Sequence, residues 1–141
     1  MNRITLEQAN RIVAAAFQKG TELKLKPLSV AVLDPGGHLI AFQRQDGAST
    51  MRFQIAAGKA SGALALGVSS RKIGEMAAER PTFVASLGTI AAQGMIPAAG
   101  GVIVAEGGNI LGAVGVTGDT SDNDEICALA GIAAAGLKAQ G

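Results

Sequence analysis

The chain has no tryptophan, no tyrosine, one histidine and one cysteine in 141 residues. A lone cysteine, Cys127, cannot close an intramolecular disulfide. Four phenylalanines make up its aromatic content, which excludes a platform on which nucleic-acid bases stack in succession. Charge is also scarce: 16% of residues are charged, the net charge is +1, and no basic patch stands out. That excludes the electrostatic footprint of a nucleic-acid binder. No apolar run reaches the roughly 18 residues of a membrane-spanning helix without polar breaks. The opening MNRITLEQANRIV lacks the order of charge, apolar run and cleavage site that marks a secretory leader. The expectation is a cytoplasmic protein.

Two absences bear on chemistry. One His and one Cys, far apart in sequence, are too few for a structural zinc site. No Gly-x-Ser-x-Gly elbow is present to serve a Ser-His-Asp triad. Gly112-x-x-Gly115-x-x-Gly118 precedes a helix, but its spacing fits neither nucleotide fingerprint. No lysine follows it, and Asp119, Asp122, Asp124 and Glu125 crowd the place where a phosphate would sit.

Hydrophobic residues, by contrast, make up 48% of a chain the size of one domain, residues 1–141. That much apolar material under so thin a charged surface predicts a homo-oligomer, since soluble surfaces usually carry roughly 25–35% charge.

The organising stretch is LSVAVLDPGGHLIAFQRQD, Leu28 to Asp46. Two strand-like runs flank Asp34-Pro35-Gly36-Gly37, where Pro presets the second turn position and Gly supplies the positive φ after it. Period two then predicts His38, Ile40, Phe42 and Arg44 on one face of the second strand. Before this hairpin, Thr5-x-x-Gln8 is a capping box that opens a helix to about Lys24. After it, Thr50 to about Leu66 is an Ala/Gly-rich helix with Met51, Ile55, Gly58 and Gly62 on one stripe. Each glycine there costs about 1 kcal/mol against alanine, so tight packing, a ligand or a subunit must offset it. Ser69-Ser70 caps a short helix to about Glu79, and Thr82 to Gln93 reads as either helix or loose segment. A second hairpin follows: strand Val102 to Ala105, turn Glu106 to Asn109, strand Ile110 to Val116. Gly112 and Gly115 in that strand signal a close neighbour. A last helix is expected from Ser121 to Lys138, burying Ile126, Leu129, Ala130, Ala133 and Leu137. Hairpins and flanking helices give an α+β fold with a four- or five-stranded antiparallel sheet.

The candidate site residues follow from type and place. His38, the sole imidazole, reads as a solvated hairpin residue, a haem-iron ligand or a proton donor. Arg44 and Arg52 read as solvated charges or carboxylate clamps. Lys59, set in the Ala/Gly helix, can pair with an anion in a pocket or transfer a proton. Asp34 reads as a turn residue accepting backbone N–H bonds, and Cys127 as core. Met51, Met76 and Met95 are soft iron ligands or packing residues.

Together, VAVLDPGGHLIAFQRQDGA, the AGKA helix, IPAAGGVIVAEGGNILGAVGVTG and DNDEICALAG make the chain resemble the GlcG/HbpS family of small haem-associated proteins. It is also similar to the C-terminal domain of PduO. The resemblance spans nearly the whole chain and implies a profilin-like, five-stranded antiparallel sheet with helices on both faces. It also implies tetramers or octamers, with haem bound by some members and roles in small-acid, diol or aromatic catabolism for others. His38, Lys59, Gly100, Gly101 and the segment from Gly112 to Gly118 match recurrent family positions. The reading implied is a small-ligand-binding protein for haem or a similar anion. His38 would sit on the iron, and Arg44, Arg52 or Lys59 on carboxylates, beside Gly100 and Gly101. A single His rules out bis-histidine ligation within one subunit. The alternatives are an enzyme moving a proton on a small carboxylate or carbonyl compound through Lys59 or His38, and an assembly protein with no small ligand.

Overall fold

The computed structural model describes residues 2–140. Helix α1, Leu6–Glu22, opens on the Thr5/Gln8 capping box: the Thr5 hydroxyl accepts from the Gln8 N–H, and the Gln8 side chain accepts from the Thr5 N–H. The first hairpin is β1, Ser29–Leu33, and β2, Leu39–Arg44. Three helices follow: α2, Arg52–Leu66, α3, Ser70–Glu79, and α4, Pro81–Ile90. The second hairpin is β3, Gly101–Glu106, and β4, Asn109–Thr117, and α5, Ser121–Ala134, closes the chain.

The ambiguous stretch after Arg80 is therefore helical, with Pro81 in its first turn, where a missing N–H costs nothing. Only Val84 of α4 is buried, which explains why no apolar period announces it.

The sheet is antiparallel and has four strands in the order β2-β1-β4-β3. The expected fifth strand is absent among the described residues. In its place the C-terminal tail makes one bridge, Val104 to Ala139, with the Ala105 N–H donating to the Lys138 carbonyl and the Gln140 N–H to the Ile103 carbonyl. This short contact covers the outer edge of β3, while among the described residues nothing pairs with the outer edge of β2.

Helices lie on both faces. Val30, Val32, Val102, Val104, Val114 and Val116 point toward α1 and α5 and form the main core with Ile12, Val13, Cys127 and Ile132. Leu33 and Ala113 point the other way, onto Ala60 and Leu64 of α2. This second layer is thin because α2 lies almost on the sheet backbone. A Cβ at Gly115 would overlap the Ala56 carbonyl, and one at Gly101 the Lys59 carbonyl. On the outer side of α2, Gly58 and Gly62 receive Ile96 and Met95 of the loop before β3. The glycine stripe is thus met by packing within the chain.

Two expectations are corrected here. Helix α5 ends at Ala134, its cap is Thr120, and its buried positions are Asp124, Cys127, Ala128, Gly131 and Ile132. Ile126 and Leu129, expected inside, are exposed. Alanine-rich helices carry little size contrast around their circumference, so the stripe was misplaced by about one residue. In β2 the register slips: Val32 faces Ala41, but Leu33 faces Leu39, which leaves Ile40 as the extra residue of a bulge. A one-residue slip reverses the faces. Phe42 and Arg44 look toward α2, while Ile40 and Ala41 pack on the α1 side. His38 and Arg44 therefore do not share one regular strand face.

Candidate functional site

The first hairpin turn is built on Asp34. Its Oδ1 accepts from the N–H groups of Gly36 and His38, both at 2.9 Å, and its own carbonyl accepts from Gly37 N–H at 2.9 Å. The positive φ falls on Gly37, at 85°, and not on Gly36. The His38 ring folds back over Gly36, with Nδ1 3.3 Å from Asp34 Oδ2. Burial opposes ionisation of Asp34, but the backbone donors and the imidazole together hold its carboxyl below the ordinary carboxylate range. The His38 side chain is 78% exposed. With Nδ1 turned to a carboxylate, Nε2 is the nitrogen left for a ligand.

Beside this turn lies a pocket of about 210 Å³, walled by Pro35, Gly36, Gly37, Ser61, Leu64 and Gln93. Gln93 closes it by donating to the Gly37 carbonyl. Gln93 also walls a larger, mainly apolar pocket of about 630 Å³ with Met51, Gln54, Ile55 and Ile96. The two line the outer side of α2, one near each end of the helix.

Lys59 is elsewhere. It is buried on the sheet side of α2, and its Nζ donates to Asp124 Oδ2 at 3.1 Å and to the Val116 carbonyl at 3.0 Å. Burial pushes its ammonium below the usual lysine range; Asp124 works against that shift, and the nearby Arg52 adds to it. Asp124 Oδ1 accepts the Asp119 N–H at 3.0 Å, so the pair clamps the β4–α5 connection onto α2. Gly100 and Gly101 belong to the same assembly. A Cβ on Gly100 would press on Lys59 Nζ at 2.9 Å, and the Gly101 N–H donates to Ser70 Oγ at 2.7 Å.

Arg52, half-buried at the start of α2, donates through Nη1 to Thr117 Oγ1 at 2.8 Å and through Nε to Ser49 Oγ at 3.1 Å. Arg44 ends β2. From His38 it is six residues away, roughly 20 Å at about 3.3 Å per residue. The candidate residues thus occupy three places: His38 at the hairpin turn, Lys59 with Gly100 and Gly101 under α2, and Arg44 with Arg52 at the other end of the sheet. No common concavity brings His38 and Lys59 together.

Sequence reasoning missed Asp124 as the partner of Lys59. A lysine in a helix of Ala and Gly demands a counter-ion, and the run TGDTSDNDE was the richest source of acids, but the choice among its members needed the fold. Met76 lies on α3, and Met95 packs over Gly62. Among the described residues, no three His, Cys, Asp or Glu side chains are grouped to hold a metal ion. No helix among them is long and apolar enough to cross a membrane.

Comparison with known proteins adds lineage to this geometry. Residues 4–133 match the model of a family described as haem degrading protein HbpS-like. An uncharacterized 15.0 kDa protein from the dhaT-dhaS intergenic region of Citrobacter freundii is 30% identical over 125 residues, covering 89% of this chain and 87% of that one. Among solved structures, Klebsiella pneumoniae ORFY aligns with TM-score 0.86 at 29% identity, over 96% of this chain and 92% of its own. A double mutant of Streptomyces reticuli HbpS aligns with TM-score 0.81 at 28% identity, over 94% and 87%. The PduOC–heme complex shares the fold at TM-score 0.87 and 19% identity, over 99% of both chains.

Proposed function

This chain belongs to the HbpS-like family, and from that premise we propose that it binds haem, or a similar flat anionic ligand, with His38 Nε2 as the iron ligand. The observation that carries the proposal is the His38–Asp34 contact. Histidines that bind metals usually give their second ring nitrogen to a carboxylate, which fixes the ring and raises its basicity. Here that arrangement stands on a rigid turn, beside apolar walls from Leu64 and Pro35.

The imidazole, oriented by Asp34, fits the nitrogen donor that a haem iron takes, and His38 would hold the group. When bound, the group would supply iron-centred ligand and redox chemistry; the chain supplies the imidazole, its orientation and the wall of α2. A pocket of about 210 Å³ is smaller than the roughly 300–1,000 Å³ of small-molecule sites. The larger neighbour behind Gln93 is therefore part of the surface we assign to the ligand. Lys59 and Arg52 are engaged within the fold and Arg44 is remote, so we assign no cation of this subunit to the ligand's carboxylates. The enzymatic alternative needs Lys59 or His38 at a substrate, and the place of Lys59 in a buried ion pair leaves that reading only His38. We also infer a homo-oligomer, supported by exposed Met51, Ile90, Ile126 and Leu129 on a chain poor in charge.

Haem titration followed at the Soret band tests the ligand. A saturable change is expected, and His38→Ala should abolish the ligand-field signature. Asp34→Asn should weaken binding about 10–100-fold, the usual cost of losing a metal ligand's outer partner. An unaltered titration in His38→Ala would sink the assignment.

A further inference from the structure

We propose a second ligand site, for a compact oxyanion such as a carboxylate or phosphate group, between Arg44 and Arg52 at the end of the sheet remote from His38. Three observations converge there. First, the strand register sets Arg44, Ser29 and Thr117 in one row across β2, β1 and β4, on the face that carries α2. Arg52 reaches down to the end of that row through its bond to Thr117 Oγ1. Ser29 therefore lies between the strand position of Arg44 on one side and the Arg52 fork, resting on Thr117, on the other.

Second, Ser29 Oγ is fully buried and has no hydrogen-bond partner among the described residues. A buried hydroxyl without a partner is costly, and its persistence asks for an explanation. Its register position sets it next to Thr117, on which the Arg52 fork rests, and next to Arg44. An oxyanion oxygen there would take the Ser29 O–H once Arg52 swings off Thr117.

Third, the charges around this point are unbalanced. Neither Arg44 nor Arg52 has a carboxylate partner among the described residues. Arg52 is also the first residue of α2, where the helix dipole favours an anion and disfavours a cation. Met51 at the N-cap offers no side-chain acceptor, and no acid lies in the first turn. A helix start without a side-chain cap, two arginines without a carboxylate and an orphan hydroxyl share one complement: a small group with several acceptor oxygens. Nothing in this argument uses His38, so the site stands or falls apart from haem binding.

The full-length protein is titrated with sodium malonate and, separately, inorganic phosphate, at ionic strength held constant with chloride. Thermal stability and the Arg52 Nε–H NMR resonance are followed. Saturable stabilisation by at least one of them is expected, and which one acts identifies the oxyanion class. Arg44→Gln should weaken binding about tenfold. Arg52→Lys, which keeps charge but loses the planar fork, should weaken it as well. Ser29→Ala should raise the stability of the ligand-free protein and lower its affinity, a pairing that a purely structural hydroxyl would not produce. His38→Ala should bind as wild type does. No response to either anion, undiminished binding in Arg44→Gln or Ser29→Ala, or loss of binding in His38→Ala would overturn the proposal.

Discussion

Lys59 and Asp124 meet 3.1 Å apart with almost no exposure, on the sheet side of a helix rich in Ala, Gly and Leu. Taking two charges out of water is repaid only by good geometry and further hydrogen bonds. This pair has both, through the Val116 carbonyl and the Asp119 N–H. Asp124→Asn leaves a buried ammonium without its counter-charge and is expected to cost about 3–5 kcal/mol in urea unfolding. Lys59→Met combined with Asp124→Leu should recover most of that loss, because the desolvation cost disappears with the charges. Burial holds the folded Lys59 ammonium below the ordinary lysine pKa of about 10.4. Between the two values the unfolded chain holds more protons, so this group's contribution to stability rises with pH and is complete above about 10.4. Lys59→Met should remove that alkaline rise; an unchanged slope would show that the pair does not set it.

Helix α2 sits on β4 and β3 with only a thin layer of small side chains between, and that contact decides what the strands can contain. Gly115 faces the Ala56 carbonyl and Gly101 the Lys59 carbonyl. Gly115→Ala must push helix from sheet. The expected loss is about 2–4 kcal/mol, in the range of severe overpacking, with the Phe42–Phe53 edge contact disturbed next to it. Gly88→Ala, in α4 with open space around it, should instead be neutral or stabilising by up to about 1 kcal/mol. Comparison of the two melting temperatures checks the claim; equal effects would refute it. The close-approach signal at Gly112 and Gly115 was legible from composition, because glycine within a strand has few other uses. The bulge at Ile40 was not legible, since it lies in which residues of β1 and β2 pair and no local pattern marks it. That bulge separated His38 from Arg44.

One sheet edge, that of β3, is covered by the tail bridging to Val104, while among the described residues nothing pairs with the outer edge of β2. Around the outside, Met51, Phe53, Leu39, Ile126 and Leu129 are exposed. A 14.0 kDa chain with this surface is expected to run as a multiple of its own mass in light scattering at micromolar concentration. A 14.0 kDa species would overturn the oligomer reading.

Element order and type could be read from the chain because capping boxes, turn residues and apolar runs act over a few neighbours. Thr5 with Gln8, Asp34-Pro35-Gly36-Gly37 and Glu106 to Asn109 stop or start structure wherever they occur. The fate of each charged residue could not be read that way. Whether Lys59 meets a ligand or Asp124, whether Arg52 stands free or rests on Thr117, and whether His38 shares a face with Arg44 depend on contacts between residues far apart in sequence. Those contacts are set by a strand register and a helix-to-sheet distance, and no local pattern encodes either.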